Sequence, residues 1–323
     1  MARRRPAPPP APVAPDEARP YPDVTYPLML LPLGVDATSR AARIMGMVSV
    51  VVGLGVFMVL VPMVNVAVQT VAASLTGVTT PLSDFVAAGG RFEHVWGLVG
   101  AHLGLGAMTL AILGIVRYLH RRNPGWLWSV SPGIRWRYLL ACLLLAVPLF
   151  SIGLVVSGLT GLNPQPGWGW WLLAIVLTAP LQAVAEEVVF RGYLMQALGM
   201  AVRSETFAVV ISALLFAIFH GTQNLWLFGS RLAFGLLAGY LVVRTGGLEA
   251  PIAAHIVNNL LAFGAAVLMS SVAEVRAVQQ IGWLETTRDL LVYGAFTAAA
   301  LWIAVRMRVP RLTPGLSRGG PVR

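Results

Sequence analysis

The sequence predicts an all-α, polytopic membrane protein with about eight transmembrane helices. Three observations carry that prediction. Hydrophobic residues make up 57% of the chain and charged residues only 11%. Runs of about 18 or more apolar residues, the length that crosses a bilayer, recur along it. The arginines are segregated into alternate connecting segments. At 323 residues the chain suits one large domain or two small ones. All 23 basic residues are arginine, and the formal net charge is +10. Beside apolar segments, such an excess reads as topology determinant and lipid-headgroup contact rather than as a nucleic-acid surface. The single cysteine, Cys142, excludes a disulfide within the chain and argues against a thiolate metal site.

Residues 1–38 open with ARRRPAPPPAPVAP and are expected to form a disordered, proline- and arginine-rich cytoplasmic tail. No cleavable signal peptide is expected, because the start has no apolar core. A membrane domain is expected over 39–310 and a short basic tail over 311–323. The predicted helices lie near 44–70, 95–116, 138–158, 171–198, 206–220, 226–243, 250–269 and 289–306. Internal glycines and prolines are compatible with membrane helices. Tryptophans at 126, 128 and 136, and at 168, 170 and 171, are expected in interfacial belts. No repeat of 20–50 residues is visible, and the halves show no matched broken helices, which weighs against a secondary transporter.

With the amino terminus inside, the inner segments hold the arginines of 1–43, 117–137, Arg203, Arg244 and the carboxyl-terminal tail. The outer segments then hold only Arg91, Arg276 and Arg288. That asymmetry predicts both termini on the cytoplasmic side and an even number of helices.

Three polar groups interrupt the apolar helices of the second half. The stretch AVAEEVVFRGY, 183–193, places Glu186, Glu187 and Arg191 in a segment otherwise apolar enough to cross the bilayer. Each such residue at a helix centre costs about 2.5–3.5 kcal/mol on insertion scales, so the three must face the interior and satisfy one another. Glu187 and Arg191, four apart, share a face and pair as a structural brace; Glu186, about 100° around, is left as the working carboxylate. The second group is Phe216 and His220, the third His255 and Asn259, each again four apart. Glu186 lies as far before the turn at Arg203 as His220 lies after it, so both reach a depth of roughly 25 Å from that turn. His255 stands only about 9 Å beyond a helix start at Glu249. Either the hairpin around Arg203 protrudes, or TGGLEAP enters the membrane in protein-lined surroundings.

A carboxylate and two imidazoles converging in a wet cavity suit amide hydrolysis, which needs a base for water and donors for the oxyanion. On this reading Glu186, assisted by His220, activates water, while His255 and Asn259 donate to the oxyanion. A Glu/His/His set could also hold zinc, with His220 and His255 as ligands. No HExxH pair exists, however, and a zinc-bound Glu186 would lose its freedom as base, so no cofactor is favoured.

The order EExxxR, FxxxH, HxxxN resembles the CAAX-protease and bacteriocin-processing family (CPBP, or Abi), which includes the type II CAAX prenyl endopeptidase. The stretch FGLLAGYLVVRTGGLEAPIAAH resembles the family's glycine-rich passage before its last histidine. The resemblance covers roughly 170–265. It implies an eight-helix intramembrane endopeptidase with a conical cavity open toward the cytoplasm, acting on prenylated or leader peptides held in the bilayer. Two alternatives come from other classes. A non-catalytic scaffold or bacteriocin-immunity protein would keep its phenotype in Glu186→Ala. A proton-coupled transporter would show pH-driven flux without peptide cleavage.

Overall fold

The computed structural model describes residue 20, residues 22–31, residue 36, and residues 38–156 and 161–314. The described chain is helical, without a strand beyond two isolated bridges. In order the helices are α1 (Arg40–Thr76), α2 (Leu82–Gly90), α3 (Val95–Gly114), α4 (Trp136–Val156), α5 (Trp168–Glu187) and α6 (Met195–Val202). There follow α7 (Glu205–Ile218), α8 (Leu225–Thr245), α9 (Glu249–Met269), α10 (Val272–Ala277) and α11 (Trp283–Arg306). A π-helical turn, Val188–Leu194, joins α5 to α6 into one continuous rod, and another, Ile115–Leu119, extends α3. Each of the eight predicted helices has an observed counterpart. Among the described residues six helical rods are long and apolar enough to cross a membrane; α4 and α7 are shorter apolar helices. The exposed side chains of α1, α4, α5 and α11 are largely apolar, as lipid-facing surfaces require.

Local chemistry sets the element ends. Ser39 caps α1 by accepting from the amide of Ala42, and Gly77, at φ +64°, closes it in the left-handed region. Ser204 caps α7 through the amide of Phe207, and Asn224 caps α8 through that of Leu227.

The α5–α9 pair is the spine that positions the polar residues. The two helices run antiparallel. At one end Gln165 donates its amide to the Val267 carbonyl; at the other, Leu248 lies against Gly192. From Gly192 the α5–α6 rod continues a further ten residues, to Val202, about 15 Å beyond the start of α9. Residues 185–201 of that rod are buried throughout. The geometry that either alternative requires is present: the hairpin around Arg203 overshoots α9, and TGGLEAP lies in protein. Thr245 to Pro251 are buried, with Leu248 and Val130 exchanging backbone hydrogen bonds with Trp128 and Gly246. Arg135 clamps the turn, donating from Nε to Glu249 at 2.8 Å and from Nη1 to the Thr245 carbonyl at 2.8 Å.

What covers the overshooting hairpin corrects the expected domain limits. Residues 22–31, assigned to a disordered tail, form a buried strap around a short 3-10 turn, Tyr26–Leu28. Tyr26 is fully buried and donates its hydroxyl to the Leu127 carbonyl. Arg122 donates to the carbonyls of Met29 and Leu31. Thr313 exchanges hydrogen bonds with Val24, so the first residues of the expected basic tail are structured as well. Pro27 sits so close to Gly199 that a β-carbon there would come within 2.0 Å of its carbonyl oxygen. The reason is apolar content: PDVTYPLMLL carries enough hydrophobic surface to dock once the hairpin offers a face. The tail expected over 1–19, and residues 315–323, lie outside the described residues.

The tryptophan belts also need correction. Trp126 and Trp171 are buried in the core, whereas Trp136, Trp168 and Trp170 are exposed.

Candidate active site

The sequence-predicted residues converge where α5, α7, α8 and α9 meet. Glu187 and Arg191 are both fully buried and pair at 3.1 Å between Oε1 and Nη1. The π-helical turn begins immediately after Glu187, so the wider i→i+5 spiral carries Arg191 under the aromatic side chains of α7 and α8. The Arg191 guanidinium lies 4.0 Å from the ring centre of Phe216 and 5.5 Å from that of Phe234. These cation–π contacts stand in for hydrogen bonds that its Nε and Nη2 do not make. Phe216 thus acquires a reason to be aromatic, and it also packs edge-on against His220, with ring centres 4.5 Å apart.

His255 sits between the two carboxylates. Its Nδ1 is 2.7 Å from Glu187 Oε1, and its Nε2 is 3.5 Å from Glu186 Oε2. A carboxylate paired to arginine can only accept, so Nδ1 carries the proton and in the neutral ring Nε2 is an acceptor. His220 follows the same logic. Its Nδ1 is 2.7 Å from the carbonyl oxygen of Phe216, which again can only accept. Both imidazoles therefore present Nε2 as a base when neutral. Glu186 Oε2, buried, has no hydrogen-bond partner.

Asn259 donates from Nδ2 to Oε1 of Gln182 at 2.7 Å, and its Oδ1 accepts from Asn258 at 3.2 Å. These contacts fix the amide orientation and leave one Nδ2–H free. Gln182 lies one helical turn before Glu186 on α5 and is itself buried. Sequence reasoning passed over it, although i and i+4 spacing from Glu186 was the available signal. It passed over Phe234 too, whose ring centre lies 5.2 Å from that of His255.

Access is one-sided. Toward Arg203 the rod is buried on all faces, whereas His220 is partly exposed, and Gly221 and Thr222 beyond it are exposed. The open end is thus the turn between α7 and α8. A cavity of about 130 Å³ behind the site, between α4, α9 and α11, is lined by Asn258, Arg288, Asp289 and Tyr293 but not by Glu186 or His220.

The zinc possibility can be tested against these side chains. Among the described residues no group of three His, Cys, Asp or Glu is arranged to hold a metal ion. Nδ1 of each imidazole is committed to an acceptor, which leaves Nε2 of both rings and the Glu186 carboxylate as the atoms a metal would use. As placed, these side chains are not assembled into a metal site, and no step below runs through one.

With this geometry in place, comparison with known proteins assigns the segment. The pattern defining the type II CAAX prenyl endopeptidase Rce1-like family matches residues 168–261. Over these residues the chain is similar to the Rce1-like family. The matched stretch begins at the first residue of α5, contains all seven predicted site residues, and ends within α9. A curated relative, the uncharacterized protein YyaK of Bacillus subtilis (strain 168), is 33% identical over 97 residues. That alignment covers 28% of this chain and 32% of the relative, so it spans about a third of the relative's length.

Proposed function

We propose that this protein is an intramembrane endopeptidase that hydrolyses peptide bonds of membrane-associated, prenylated or leader peptides. One observation carries the reading: an unpartnered carboxylate oxygen of Glu186 faces the Nε2 atom of an imidazole whose other nitrogen is pinned as a donor. In the proposed reaction Glu186 takes a proton from water, and the water oxygen adds to the peptide carbonyl carbon. The free Nδ2–H of Asn259 stabilises the oxyanion. His220 assists Glu186 in holding the water through its Nε2. His255, assigned from sequence as an oxyanion donor, donates from Nε2 only as the imidazolium; in the neutral ring it accepts. The carbon–nitrogen bond then breaks, and the leaving amine takes the proton held by Glu186. Glu187, Arg191 and Phe216 hold the imidazoles and touch no reacting atom.

The setting we infer is a bacterial cytoplasmic membrane with both termini inside, from the arginine distribution. In that orientation the exposed turn beyond His220 lies away from the cytoplasmic end marked by Arg203, opposite to the cytoplasmic opening that the family resemblance implies.

The test compares new peptide termini by mass spectrometry in membranes carrying the wild type or Glu186→Ala at equal levels. The host lacks its own copy. Termini found only with the wild type are expected. Identical profiles from two folded proteins would overturn the peptidase reading in favour of a scaffold.

A further inference from the structure

Arg231 lies on α8 at the open side of the site, three residues before Phe234, whose ring contacts His255. It is half-buried, and it donates from Nη1 to Oε1 of Gln223 at 2.7 Å and, at 3.5 Å, to the carbonyl of His220. Among the described residues it has no carboxylate within ion-pair distance, and its Nε and Nη2 make no hydrogen bond. Asp289 on α11 is taken by Ser230 and Arg288. A guanidinium that only closed the end of α7 would need a single donor. Here most of the donor fork is left over, and the fork matches a carboxylate in two-point geometry. Arg231 lies within electrostatic reach of Glu186 and of the exposed Arg276.

Resting on the peptidase reading for its substrate class, we propose that Arg231 binds a carboxylate of the bound peptide, either its free carboxyl terminus or an acidic side chain. This makes it a specificity-determining residue, setting which end of the peptide lies toward the turn between α7 and α8.

The test uses the full chain in nanodiscs, in the Glu186→Gln background, so that binding is read apart from turnover. The probes are three fluorescent S-farnesylated peptides of one sequence: a free carboxyl terminus, its amide, and an amide ending in Asp. Tighter binding of the free acid than of the amide, by about tenfold or more, is expected. Tight binding of the Asp-ended amide as well would assign the site to carboxylates generally; weak binding would assign it to the chain terminus. Arg231→Gln should bring the acid-to-amide ratio to about one, and Arg231→Lys should restore part of it. Equal binding of acid and amide by the protein retaining Arg231, or no binding of any probe, overturns the inference without needing a variant that folds. Cleavage of the amide by the wild type without acid preference would leave the peptidase reading standing and remove this one. Acid preference without any cleavage would do the reverse.

Discussion

Replacing Glu187 by Ala should unfold the centre of this protein rather than merely silence it. Arg191 has no exposed surface, and among the described residues Glu187 is the one carboxylate bonded to it, at 3.1 Å. Removing one member of a buried pair typically costs about 3–5 kcal/mol, because the other charge stays buried and uncompensated. The rings of Phe216 and Phe234 hold part of that charge, so the lower end of the range is expected at this site. His255 loses its Nδ1 partner at the same time, and a hydrogen bond to a charged group is worth about 1.5–3 kcal/mol. The sum is about 5 kcal/mol and should lower the melting temperature in detergent by roughly 10 °C. Arg191→Met alone should cost a similar amount. The double variant Glu187→Met with Arg191→Met should cost less than the two singles together, since it strands no charge. Glu186→Gln should melt like the wild type. Two results would refute the reasoning: strictly additive losses in the double variant, or Glu186→Gln being less stable than Glu187→Ala. The second would mean that brace and base were assigned the wrong way round.

Two further outcomes follow from the same geometry. Gln182→Leu keeps volume but removes the acceptor that orients Asn259, so kcat should fall about tenfold or more while KM changes little, as expected for a group acting on the transition state. An equal rise in KM instead would mean that Gln182 touches substrate. Thr222→Cys, in a protein whose single native cysteine is replaced by Ala, should react with an impermeant maleimide only from the face opposite both termini. Labelling from the cytoplasmic face would reverse the orientation of the opening.

The helical class was legible because a bilayer permits so few solutions: apolar runs of sufficient length leave the backbone no choice but the helix. The strap of residues 22–31 was not legible. Its prolines and its place beside a low-complexity arm concealed an apolar set that finds its complement only once α6 overshoots α9. Overshoot itself cannot be read from periodicity, because the period stays helical through the π-turn at 188–194 while the rod passes from partly exposed to fully buried. The same blindness explains Trp126 and Trp171. A tryptophan next to a membrane helix has one sequence signature, whether it meets headgroups or a core.

At the site, i and i+4 spacing identified the side chains but not the direction of each proton. Direction came from acceptors supplied elsewhere in the fold: the Phe216 carbonyl freed at the end of α7, and Glu187 from a different helix. On the proposed mechanism, with Nδ1 a donor in both imidazoles, neither neutral ring donates from Nε2 to an oxyanion, and Asn259 is left as the donor. Its orientation in turn depends on Gln182. A single unmotivated glutamine, one turn above the first glutamate, thus connects the α5 brace to the α9 donor. An inward-facing polar residue on a membrane helix has to be asked which acceptor or donor it completes, even when it belongs to no recognisable motif.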